Sequence, residues 1–244
     1  MTQRQAVAHI GAYLWRRERW GMLFTLLFGI YLGFILSYTV DAILGSNEAI
    51  PKSLNVIVDW IYLTMFPSFG LVMNKSAWGM WRDDHYSRRL AHWRTMPIPI
   101  SSIVKARMAQ SGLMIPIIGG IYLLLQYAAS QNLRDTLTPM QMVQFGLIWL
   151  CFALVINGVY IWAELSLSGK GYCFFYLGYF VLVTVLSTLF VWQEIYVFQE
   201  VLEIIRSGHG GGWIAGLAAL AAAALWIGYR ATVKRIRSRS LPLG

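Results

Sequence analysis

Apolar residues come in six long blocks along this chain, separated by short polar or basic stretches. The blocks cover 20–40, 56–73, 108–128, 142–163, 173–192 and 213–229. A hydrocarbon core of roughly 30 Å takes about 20 apolar residues in a helix, so each block predicts a membrane-crossing helix. The second block is the weakest, because it holds Asp59 and Pro67. Asp59 lies near one end, within reach of the interface. Pro67 is tolerable where a neighbour satisfies the carbonyl that its missing N–H leaves free. Small residues four apart, Gly29 and Gly33 in the first block and Gly212 and Gly216 at the sixth, allow close helix packing within the chain or, as the sharper reading, between two copies.

Three amphipathic pieces lie outside the blocks. In residues 1–19, Val7, Ile10 and Leu14 share one helical stripe and the cations cluster beside the first block. This is the pattern of a helix lying in the membrane interface. In 82–96, Tyr86, Leu90 and Trp93 fall at i, i+4 and i+7. That helix should stop by Thr95 or Met96, since a proline disfavours α geometry in the residue before it. Pro97-Ile98-Pro99 then reads as a stiff extended joint, with Ser101 or Ser102 available to cap the next helix. Lys105 and Arg107 come early in that helix, where the dipole disfavours cations; lipid contact and orientation account for them. In 193–207, Ile195, Phe198, Leu202 and Ile205 form a stripe. Together with the fifth block this run is too long for one crossing. It should bend near Gln193 and end at Ser207-Gly208.

Composition agrees with the pattern: 57% of the 244 residues are hydrophobic, 13% are charged, and the mean hydropathy is +0.55. The expected class is an all-α polytopic membrane protein, one transmembrane domain over 1–244. Basic residues are distributed unevenly. The first segment carries Arg4, Arg16, Arg17 and Arg19, the 74–107 loop carries Lys75, Arg82, Arg88, Arg89, Arg94, Lys105 and Arg107, and the tail carries Arg230, Lys234, Arg235, Arg237 and Arg239. Loops assigned to the other side carry only Lys52, Arg134 and Arg206. The bias predicts both termini in the cytoplasm and an even number of spans. It reads the net charge of +9 as a topology signal, with attraction to anionic lipid as a by-product; nucleic acid is not an expected partner. Trp20, Trp60, Trp149, Trp162, Trp192, Trp213 and Trp226 fall near the expected interfaces. Cys151 and Cys173 read as free, packed thiols. No cleavable signal is expected, since no small-residue cleavage site follows a short apolar core in the first 19 residues. His9 and His209 have no neighbouring ligands, so no metal site is expected.

The 82–107 segment, with MPIPISSIVKAR ahead of a long apolar block, resembles the first cytoplasmic loop of ABC-2-type transporter permeases. It departs from the common form in having Met96 before the first proline, a second proline at Pro99, and Arg88, Arg89, Leu90 and Ala91 where a Gly-Thr-Leu-Glu step is usual. The resemblance implies a cell-membrane exporter subunit, of bacterial inner-membrane type, moving an amphiphilic peptide, drug or lipid-linked molecule. It implies that 82–96 is a coupling helix docking on a separate ATPase subunit, which would hold ATP and Mg. Tyr86, Arg88, Arg89, Leu90, Trp93 and Arg94 would make the contact and Pro97 and Pro99 the joint. The 193–207 piece, with Glu194, Phe198, Leu202 and Glu203, would form an outer gate. A second permease copy or a paralogue would complete the channel.

No cofactor is expected on this chain itself. Ser168-Gly-Lys-Gly171 lacks the upstream glycine and the following Ser or Thr of a phosphate-binding loop, and reads as a tight turn. A membrane enzyme would need converging ionisable groups, and of Asp59, Asn157 and Glu164 the two acids fall toward opposite membrane sides. An ion-coupled secondary transporter would favour repeats and broken helices at midplane. A non-transporting sensor or immunity protein that binds an ATPase also stays open, as does the 82–96 helix as a mere interfacial element. Asn157 is either a substrate contact or an interhelical hydrogen bond.

Overall fold

The computed structural model describes residues 2–45, 51–72, 85–95 and 98–238, and among them every regular element is a helix. In chain order these are α1 (Gln3–Gly45), α2 (Lys52–Ser68), α3 (His85–Thr95), α4 (Ile100–Ala129), α5 (Gln131–Thr136), α6 (Pro139–Ser166), α7 (Gly169–Trp192), α8 (Val197–Arg206) and α9 (Gly210–Ser238). Five of them, α1, α4, α6, α7 and α9, are long and apolar enough to cross a membrane. The chain is therefore an all-α protein of multi-pass membrane character. The expected second span is occupied by α2, whose 17 residues reach only about 25 Å.

We call the end of the bundle where α1 starts the near end and the other the far end. Contacts such as Gln110 with Glu18 at the near end and Ser130 with Asp41 at the far end fix an up-and-down order. Helices α1, α4 and α7 run from near to far, and α2, α6 and α9 run back. Helix α3 sits at the near end, and α5 and α8 at the far end.

The expected interfacial helix over 1–19 is not a separate element. It continues into the first apolar block as one 43-residue helix, about 65 Å long. No proline interrupts it, and its stripe finds protein partners instead of a lipid surface. Ala6, Ile10, Leu14, Glu18, Met22, Thr25, Gly29, Gly33, Leu36, Val40 and Ile43 are all buried, at steps of three or four. Most of that stripe packs on α4, while α9 packs most on α6. Backbones approach closely at both crossings. A Cβ at Gly33 would lie 2.9 Å from the Tyr122 carbonyl oxygen, and one at Gly228 would lie 2.7 Å from that of Gly158. Gly29 and Gly33 thus serve packing within the chain. A Cβ at Gly212 or Gly216 meets nothing within 4 Å, so that pair faces outward.

Pro67 illustrates how polar backbone is handled inside the bundle. Its missing N–H frees the Leu63 carbonyl, which accepts a hydrogen bond from the Tyr179 hydroxyl at 2.6 Å. Two further links, Trp60 Nε1 donating to Thr184 Oγ1 at 2.8 Å and Ser68 Oγ with Tyr176 Oη at 3.0 Å, tie α2 to α7. Trp149 departs from the expected interfacial belt. It is buried in the larger core cluster, its ring 4.6 Å from that of Tyr62. Both cysteines are free.

Candidate functional site

The near end brings together the segment that carries the resemblance and a buried polar network. Helix α3 is described up to Thr95, where a stop ahead of Pro97 is expected, and Met96 and Pro97 lie outside the described residues. Helix α4 starts directly after Pro99, whose extended backbone (φ −60°, ψ 131°) forms its N-cap. The expected serine cap is not made. The helix begins early enough to include both serines in its first turn. Ser101 Oγ instead accepts from Gln3 Nε2 at 3.1 Å, and Ser102 Oγ is buried with no hydrogen-bond partner among the described residues.

Of the residues expected to meet an ATPase, Leu90 and Trp93 are buried within this chain, 1% and 3% exposed. They belong to one apolar cluster with Ile10 and Leu14 of α1, Ile103 and Val104 of α4, Ile161 and Leu165 of α6, and Ile236 of α9. The stripe read as a docking face is the seat of α3 on its own bundle. Apolar side chains here lower their free energy most by leaving water, and α1 supplies a matching stripe. The outward face is a different one: Arg88, His92 and Thr95, at i, i+4 and i+7, are exposed. The side chains of Tyr86, Arg89 and Arg94, and Pro97 altogether, lie outside the described residues. Pro99 is exposed at the joint.

One helical turn inward from this seat lies a layer of buried charge. Leu14 is followed at i+4 by Glu18, and Ile103 at i+4 by Arg107; both charged residues are 4% exposed. Arg107 Nε donates to Glu164 Oε2 at 2.9 Å, while its Nη1 donates to Gln110 Oε1 at 3.1 Å and Ser111 Oγ at 3.2 Å. Gln110 Nε2 then donates to Glu18 Oε2 at 2.8 Å, and Ser111 Oγ to the Gly70 carbonyl at 2.8 Å. Four parts of the chain (α1, the turn after α2, α4 and α6) are linked by one network centred on this guanidinium. Arg107 is therefore not a lipid contact, as its position in the first turns of α4 suggested. Burial of an arginine is tolerable when carboxylates and hydrogen-bond acceptors surround it, and this network supplies them. Lys105 does stay at the surface, its Nζ 5.7 Å from the Tyr229 ring centroid.

Sequence reasoning missed this layer. The signal was present in Arg107, Gln110 and Ser111, a polar stripe at i, i+3 and i+4 on an apolar helix, and in Glu164 within an otherwise apolar stretch. Asn157 lies deeper between the helices, fully buried. Its Nδ2 donates to the Pro67 carbonyl at 2.8 Å and to that of Ala153 at 2.9 Å, an interhelical bond. Ser168, in the stretch compared with a phosphate loop, is the N-cap of α7 and accepts from the Gly171 amide at 3.3 Å.

At the far end the expected bend is present. Helix α7 stops at Trp192, Glu194 takes a left-handed backbone (φ 62°), and α8 runs from Val197 to Arg206 before Gly208 at φ 79°. Phe198 and Leu202 are buried on the core, Ile195 remains 40% exposed, and Glu203 points outward. Exposed Glu194 pairs with Lys52 at 3.3 Å. Asp59 explains itself here. Its carboxylate accepts the Val197 amide at 3.0 Å and the Phe198 amide at 2.8 Å. Asp59 thereby caps α8 from another helix, satisfying first-turn amides that lack intrahelical acceptors. Asp41 does the same for α5, accepting from Ser130 Oγ at 2.7 Å and the Asn132 amide at 2.9 Å. Among the described residues no group of three His, Cys, Asp or Glu is arranged to hold a metal ion.

No family model, curated protein or solved structure matches this chain.

Proposed function

We propose that this chain is a permease subunit of an ABC-2-type exporter. In this reading it crosses the bilayer six times, with the near end and both termini in the cytoplasm, and a separate ATPase docks on α3. The observation that carries the reading is the seating of α3. A short helix with an exposed Arg88–His92–Thr95 face is anchored by Leu90 and Trp93 on α1, α4, α6 and α9. In this reading, force applied to that face would reach all four of these long helices through the shared cluster, with the Arg107 layer one turn behind. The cations gathered at this end support a cytoplasmic assignment. The cargo would be an amphiphile, and the outward Gly212–Gly216 face of α9 suits a second permease copy.

A tagged copy should co-purify a soluble ATPase. Arg88→Glu with His92→Glu should release it while the permease keeps its melting temperature, and retention of the ATPase by that variant would contradict the assignment. One observation favours an ion-coupled transporter instead: the buried Glu18, Arg107 and Glu164, since ionisable groups within a bundle often serve ion pathways. Transport stopped by vanadate but not by a protonophore separates the two in favour of the exporter.

A further inference from the structure

Beyond the ATPase contact, and independent of it, we infer that the near end of α9 carries a site for the phosphate headgroup of an anionic phospholipid. A recess of about 460 Å³ is lined by Tyr229, Arg230, Val233, Lys234, Arg237 and Ser238. The three cations fall at i, i+4 and i+7, so they share one face of the helix. All three are exposed, and among the described residues none makes an ion pair. A fourth cation, Lys105 of α4, reaches the same aromatic ring from the neighbouring helix, 5.7 Å from the Tyr229 centroid.

Depth and orientation select a lipid over a soluble acid. Helix α9 has 29 residues, a length of about 43 Å, against roughly 30 Å of hydrocarbon and 40–45 Å with headgroups. Its last two turns therefore end within the headgroup layer. Trp226, 58% exposed, marks the start of that layer. The Arg230 guanidinium carbon lies 4.6 Å from the centre of the Trp226 ring, which holds the cation at the boundary instead of in bulk water. Val233 and Tyr229 give the floor an apolar part on which the glycerol and upper acyl carbons can rest. A diffuse basic tail would attract anionic lipid without selecting a place; this face combines a recess, unpaired cations and an aromatic ledge.

The test uses the full chain in detergent with equal amounts of phosphatidylglycerol and phosphatidylcholine of matched acyl chains, and reads retained lipid by native mass spectrometry. The wild type should retain phosphatidylglycerol preferentially. Arg230→Gln, Lys234→Gln and Arg237→Gln should each lower that preference about fivefold, the equivalent of one interfacial cation. Arg230→Lys with Arg237→Lys should keep most of it, which covers the case in which a neutral variant fails to fold. A control of equal charge loss, Arg16→Gln, Arg17→Gln and Arg19→Gln, should leave the preference unchanged. Millimolar glycerol 1-phosphate should not displace the lipid. Unchanged preference in the α9 variants, equal loss in the control, or displacement by glycerol phosphate would each overturn the assignment.

Discussion

Arg107 sits at the centre of a buried polar network, and its energetics are lopsided. Its bonds to Glu164, Gln110 and Ser111 are buried, so removing one partner leaves charge stranded away from water. Arg107→Met alone should cost about 3–5 kcal/mol, while Arg107→Met with Glu164→Leu should cost clearly less than the sum of the single changes. Thermal unfolding in detergent across the double-mutant cycle checks both statements. Asp59 gives a second test. Asp59→Asn keeps the size but loses one of two acceptors for the Val197 and Phe198 amides. Losing a charge-assisted bond of about 1.5–3 kcal/mol should speed amide exchange in 197–206 by tenfold or more. The sequence marked Asp59 as an acid in an apolar run and Arg107 as a cation early in a helix, where the dipole disfavours it, and it could not announce their partners. Those are set by which faces of α4, α6 and α8 meet, and a single chain's periodicity leaves that open.

Elements were more legible than contacts. Proline punctuation placed the end of α3 at Thr95 or Met96, and the described helix reaches Thr95; excess length placed the bend near Gln193, and α7 stops at Trp192. The α3 stripe was also legible as a stripe, but a stripe does not say what covers it. Here the chain's own bundle covers it: α3 packs on α6 and α7, and Leu90 and Trp93 share a cluster with Ile10 and Leu14, because 3–19 continues the first long helix. The division of α3 into a seat and an outward face predicts opposite phenotypes. Trp93→Ala should destabilise the whole chain by about 3–5 kcal/mol. Arg88→Glu, on the exposed face, should change stability by no more than about 0.5 kcal/mol. The α6–α9 crossing offers a parallel pair. Gly228→Leu should disrupt packing within the chain, since even a Cβ there would meet the Gly158 carbonyl, whereas Gly216→Leu, with open space around it, should leave the chain folded and weaken its pairing with a second copy, as read by size exclusion.

At the scale of the whole molecule the two ends differ in construction. The far end is closed by two aspartates, Asp41 and Asp59, each capping a short surface helix. The near end has an apolar seat for α3 backed by a layer of charge, and it carries most of the described basic residues. Such an end is joined across helices, and under the proposed function it is the end on which the ATPase subunit would dock. The most direct measurement is photocross-linking in cells from an unnatural residue placed at His92, with Gln199 at the far end as the companion position. The account predicts an adduct from position 92 whose partner yields peptides of a nucleotide-binding subunit, including a Gly-x-x-x-x-Gly-Lys-[Ser/Thr] segment, and none from position 199. An ATPase adduct from position 199, or none from position 92 while the protein is transporting, would contradict it.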